Sequence, residues 1–138
     1  MNRAPADFLG RWRIERTIED SLAGSASRFV GDAVIARGDV DWTYRETGTL
    51  TLASAAQLRA ERTYYWQPKE NGFEVYFADR RFFHSFALDD NAEAKHWCDP
   101  DQYDVAYDFA RWPEWSSTWD VTGPRKRYVM LTRYYPSE

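Results

Sequence analysis

Apolar and polar residues alternate along this chain in short runs separated by turn residues. From Arg11 to Glu19 one phase carries Trp12, Ile14, Arg16 and Ile18, and the other carries Arg11, Arg13, Glu15 and Thr17. A period of two is the mark of a strand with one buried face, and the apolar phase takes Arg16 inward with it. The pattern recurs around Arg28–Ala36 and over Trp42, Tyr44, Glu46, Gly48 and Leu50. It returns over Gln57–Gln67, where Ala60, Arg62, Tyr64 and Trp66 share a phase. Phe73–Phe77 and Arg81–Leu88 read as a hairpin, followed by Ala94–Cys98 and by Tyr103, Val105, Tyr107 and Phe109. Trp112–Trp115 reads as a loop, Thr118–Thr122 as a short strand, and Lys126–Tyr135 as the last strand.

The count is roughly nine or ten antiparallel strands, with no long amphipathic helix, internal repeat or linker. The expected fold is all-β, one domain over residues 1–138, in a single antiparallel up-and-down β-barrel. A sandwich is the alternative. Closure is favoured because it removes exposed edges and leaves a lumen in which polar groups can be kept. In a closed sheet the first and last strands pair antiparallel, which predicts Arg133 beside Trp12.

The aromatic content, with 7 Trp, 9 Tyr and 8 Phe, suits a half-buried pleated surface. It is incompatible with a mostly disordered chain. The net charge of −4, with signs mixed along the chain, lacks the basic stripe of a nucleic-acid binder. One cysteine, Cys98, cannot form an intramolecular disulfide. No apolar leader precedes Gly10, and no run approaches the ~20 apolar residues of a membrane helix. A cytoplasmic setting is the resulting expectation, with the protein a monomer or homodimer.

Phe8, Gly10 and Trp12, together with Arg133, resemble the lipocalin and fatty-acid-binding-protein superfamily, the calycins. That resemblance implies two different jobs for Arg133. In lipocalins an arginine of the last strand packs across the tryptophan at the barrel base. In fatty-acid-binding proteins an Arg-x-Tyr, spelled here Arg133-Tyr134-Tyr135, holds a ligand carboxylate. More of the chain is similar to a lipocalin-like bacterial family of unknown function. The shared stretches are Phe8–Trp12, Tyr44-x-Glu46-x-Gly48, Phe77-Ala78-Asp79 through Phe83-His84, His96-x-Cys98-x-x-Asp101-x-Tyr103 and Gly123-Pro124-x-Lys126.

Strand phase nominates an inward polar set of Arg16, Glu46, Arg62, Tyr64, Arg133 and Tyr135. Charges in a dry interior must be paired, so these residues either neutralise one another or await an anion in a wet cavity. Arginine beside a tyrosine hydroxyl suits a carboxylate, because guanidinium offers a planar fork of donors. With Trp12, Tyr44, Trp66, Phe77 and Phe86 as walls, the expected ligand is a small hydrophobic or amphipathic acid, and no cofactor is specified. His84 is a further lumen candidate.

Two other chemistries are open. His84, His96 and Cys98, with Asp101 nearby, are residue types that bind zinc, iron or haem. Glu46 or His84, enclosed in a barrel, could serve as a general acid or base. Trp112, Trp115 and Trp119 are expected to line a barrel end, and Arg125-Lys126-Arg127 to be a solvated strand start.

Overall fold

The computed structural model describes residues 3–137, so residues 1, 2 and 138 of the expected domain lie outside it. Ten strands are found there: β1 (Gly10–Asp20), β2 (Ser25–Ala36), β3 (Trp42–Thr51), β4 (Gln57–Lys69), β5 (Gly72–Tyr76), β6 (Phe82–Ala87), β7 (Asn91–Cys98), β8 (Asp101–Asp108), β9 (Trp115–Thr122) and β10 (Arg127–Pro136). They form one antiparallel sheet in the order β6-β5-β4-β3-β2-β1-β10-β9-β8-β7. β1 pairs with β10, as closure requires. β6 and β7 come close without sharing a ladder, so the up-and-down barrel is nearly closed.

The lower end is plugged from the N-terminus. Pro5–Phe8 forms a single 3-10 turn, and Gly10 then enters β1 at φ 121°, a backbone region that side chains avoid. Phe8 is 0% exposed. Its ring packs on those of Trp112, Trp115, Phe73 and Phe109 at centroid distances of 4.7, 5.4, 5.4 and 5.6 Å. Trp12 donates its Nε1–H to the Phe8 carbonyl at 2.9 Å. Arg3 finishes the plug by donating to the Leu88 and Phe109 carbonyls and to Asp90. Its guanidinium lies 5.3 Å and 5.7 Å from the ring centres of Phe109 and Trp112.

An arginine over the basal aromatics is therefore present, but it is Arg3 and not Arg133. The β1–β10 register sets Trp12 opposite Pro136 and Glu15 opposite Arg133. The inward phase of β10 is Met130, Thr132 and Tyr134, all buried. Arg133 is thus on the outer face, and so is Tyr135, whose ring lies 4.4 Å from the Arg13 guanidinium. Alternation misassigned them because both phases of Tyr128–Tyr135 carry tyrosine and aliphatic residues. Trp115, expected in a loop, begins β9 on its inward face and stacks on Tyr134 at 3.7 Å and 2°.

Three small inward residues stand side by side toward the opposite end. Gly31 of β2 pairs with Gly48 of β3, and Gly48 with Ala60 of β4. A Cβ on Gly31 would sit 2.1 Å from the Thr47 carbonyl oxygen, and one on Gly48 would sit 2.7 Å from Cζ of Phe29. The two strands can approach only without side chains there, and the Phe29 ring takes the space.

Candidate functional site

The interior polar residues separate into three groups. The first is anchored by Arg16 of β1, which donates Nη1–H to Glu46 Oε1 at 2.9 Å, Nη2–H to Glu46 Oε2 at 2.5 Å and Nε–H to Thr132 at 2.7 Å. The Tyr44 hydroxyl donates to Glu46 Oε2 at 2.5 Å and meets the Tyr134 hydroxyl at 2.6 Å. These residues come from β1, β3 and β10, so one network ties together the inner face of four consecutive strands, β3-β2-β1-β10. Burial alone would raise the Glu46 carboxyl, but Arg16, assisted by Tyr44 and Arg62, holds it below the usual carboxylate range. Glu46 is therefore a fixed anion committed to Arg16, a poor arrangement for a general acid.

The second group is Arg62 and Tyr64 of β4. They are joined by a long contact of 3.4 Å from Nη1 to the hydroxyl, and Arg62 is exposed at the upper mouth. Among the described residues Arg62 forms no ion pair, whereas Arg16 forms one. Counting Arg16, Glu46 and Arg62 leaves one uncompensated positive charge, and Arg62 carries it.

The third group is His84 and Tyr107, with Nε2 and the hydroxyl 2.8 Å apart. The β5–β6 register shifts at Val75/Tyr76, and Phe83 and His84 are consecutive yet both buried. Burial, with the charge of His96 adding to it, lowers His84 to about 3, so it is neutral at physiological pH. Its Nδ1 finds no partner among the described residues.

Around these groups the lumen is largely filled. Trp66 and Phe86, expected as walls, are in contact with each other and with Phe73 below the polar layer, and Trp12 belongs to the plug. No chamber opens between them, because the rings that would line it also fill it. A hollow lies on each side of the Arg16–Glu46–Arg62 layer. The inner one, about 20 Å³, touches Tyr64, His84, Tyr107 and Tyr134. That is room for about one water. The outer one, about 60 Å³, is a cup with Ile18, Phe29, Leu50 and Ala60 as its apolar wall, the Arg16–Glu46 pair at its floor, and Arg62 and Glu61 at its side.

The expected metal ligands do not converge. His84 faces the lumen, and the Phe83 ring is packed against both it and the His96 ring, at 4.3 and 5.6 Å. Cys98 ends β7 half-buried. Among the described residues no three His, Cys, Asp or Glu side chains cluster in a way that could hold a metal ion. Arg133 and Tyr135 border a separate outer hollow of about 340 Å³ with Arg111 and Glu114. Trp112 and Trp115 do line a barrel end, whereas Trp119 sits higher, against Tyr64 and Phe83.

Sequence reasoning missed Arg3, Thr132, Tyr134 and the Tyr107 partner of His84 as interior polar contacts. Only the alternation over Tyr103–Phe109 pointed inward for Tyr107; a lone arginine near the N-terminus carries no signal at all.

Fold and site define a near-closed, ten-stranded up-and-down barrel with a charged layer across an aromatic interior. The chain belongs to a family of unknown function, DUF6314, which it matches over residues 8–136. No curated protein matches it in sequence. Among solved structures it is similar to the S-type phycobiliprotein lyase CPES from Guillardia theta. The TM-score is 0.65 at 9% identity, over 96% of this chain and 90% of that one. At that identity the likeness shows the fold alone. No helix of the described residues is long and apolar enough to cross a membrane.

Proposed function

We propose that this barrel binds a small amphipathic acid, with Arg62, backed by Tyr64, as the acid's anchor. The observation that carries this reading is the unequal treatment of two lumen arginines. Arg16 is neutralised by a two-pronged contact with Glu46, while Arg62 has no carboxylate of its own. The Arg62 guanidinium, braced by its contact with the Tyr64 hydroxyl, presents N–H donors to a carboxylate, and the neighbouring cup receives the rest of the molecule. The Arg16–Glu46 pair then serves as the electrostatic floor, and Glu61, which also borders the cup, is paired with Arg45, so among the described residues Arg62 is left as the unpaired positive charge of the layer.

His96, Cys98, Arg133 and Tyr135 border neither hollow of the charged layer. Native mass spectrometry of the purified protein, followed by titration with matched carboxylic acids and alcohols, tests the reading. Acids should bind better than the alcohols, and Arg62→Gln should erase the preference. Equal binding of acid and alcohol by the unaltered protein would overturn it.

A further inference from the structure

We infer that the ligand is seated in the cup above the charged layer, and that it is a compact monocarboxylate rather than a long-chain one. This rests on the function proposed above and narrows it to a place and a size. Below the layer the interior is closed by Phe8, Trp66, Phe73, Phe86 and Trp115, and the inner hollow of about 20 Å³ has no room for an alkyl chain. Above it the cup of about 60 Å³ is walled mainly by carbon, from Ile18, Phe29, Leu50 and Ala60. At roughly 10–15 Å³ per water-sized group, such a cup takes about four to six of them.

The hollow originates in the row of small residues across β2, β3 and β4. Gly48 lets the Phe29 ring lie against β3, and Ala60, paired with Gly48, leaves the neighbouring position unfilled. A carboxylate at the floor meets Arg62, while Glu46, already bound to Arg16, opposes any second negative charge. The site therefore selects a single charge as well as a short body.

NMR titration of the full chain with straight-chain carboxylates from acetate to decanoate tests the inference. Each methylene buried in the cup should tighten binding roughly fourfold, the equivalent of ~0.8 kcal/mol. The gain should level off by about hexanoate, as the cup's capacity requires. Shifts should concentrate on Ile18, Phe29, Leu50 and Ala60. Ala60→Leu, which fills the cup, should remove the chain-length gain, while Val75→Ile, beside the inner hollow, should keep it. If Ala60→Leu fails to fold, the chain-length series decides alone. Affinity that climbs steadily to decanoate, with shifts at Trp66 and Phe73, would overturn the inference and leave the proposed function standing. Binding of none of these acids would overturn both.

Discussion

Arg16 and Glu46 meet through two parallel hydrogen bonds, of 2.9 and 2.5 Å, across the width of β2 that separates their strands. Their side chains are 6% and 3% exposed. Two charges this deep hold each other in place, and neither is tolerable alone.

Removing one partner should therefore cost far more than removing both. Glu46→Leu or Arg16→Met alone is expected to destabilise the fold by about 3–5 kcal/mol, while the double variant recovers much of the loss. Urea denaturation of the four proteins in a double-mutant cycle measures the coupling. Independent, additive losses would contradict the geometry.

His84 gives the fold a dependence on acid. Its imidazole is held neutral down to about 3, while in the unfolded chain it protonates near the ordinary value of about 6.5. The unfolded state binds the extra proton between those limits, so stability is full above the upper one. It falls as pH drops toward 3, by up to about 1.4 kcal/mol per pH unit. Glu46 adds to the loss with the same sign, since its lowered carboxyl must protonate when the chain unfolds in acid. A His84→Phe/Tyr107→Phe double variant removes the buried pair together. It should flatten the His84 part of the slope in thermal melts at stepped pH, with little change near neutrality.

Phe8→Ala should remove the centre of the basal plug. With the ring wholly buried among tryptophans and phenylalanines, a loss of about 3–5 kcal/mol is expected, read from the urea midpoint. A cost below about 1 kcal/mol would mean that the plug is dispensable.

Gly31→Ala tests the close approach of β2 and β3. The new methyl would collide with backbone, at 2.1 Å from the Thr47 oxygen, so no side-chain rotation can relieve it. Loss of at least about 1–3 kcal/mol follows from overpacking. The same change at Gly24, where nothing lies within 4 Å of the added carbon, tests only the strain of its positive φ of 65°.

Arg62 and Arg133 separate the two sides of the barrel wall. Arg62→Gln should abolish preference for acids over alcohols, whereas Arg133→Gln, on the outer face, should leave it intact in the same titration. A loss of preference on changing Arg133 would move the site to the outer hollow.

Strand by strand, much of this fold is legible in alternation. The inward faces of β1, β3 and β4 follow directly from Trp12 to Ile18, Tyr44 to Leu50 and Ala60 to Trp66, because in each only one phase is plausibly buried. β10 shows the limit. Two aromatic phases lie side by side, and the Arg-x-Tyr spelling favoured the wrong one. The candidate site was half legible for the same reason. Arg16, Glu46, Arg62 and Tyr64 lie on strands of unambiguous phase, while Thr132 and Tyr134 lie on the ambiguous one.

By itself the sequence determined the architecture, because side-chain period and turn residues are local properties that each segment carries alone. It also carried Arg16, Glu46 and Arg62 to the inward phase of β1, β3 and β4, but it placed Arg133 inward wrongly and gave no sign of Arg3. Pairing and free volume belong to the tertiary structure. That Glu46 neutralises Arg16 and leaves Arg62 free depends on distances across a barrel, and so does the choice of Arg3 over Arg133 to cover the basal rings. Whether aromatic side chains line a chamber or fill it depends on how they interdigitate. Here they fill the lower barrel and leave the hollow by Ala60, because packing is a sum over strands that no single strand records.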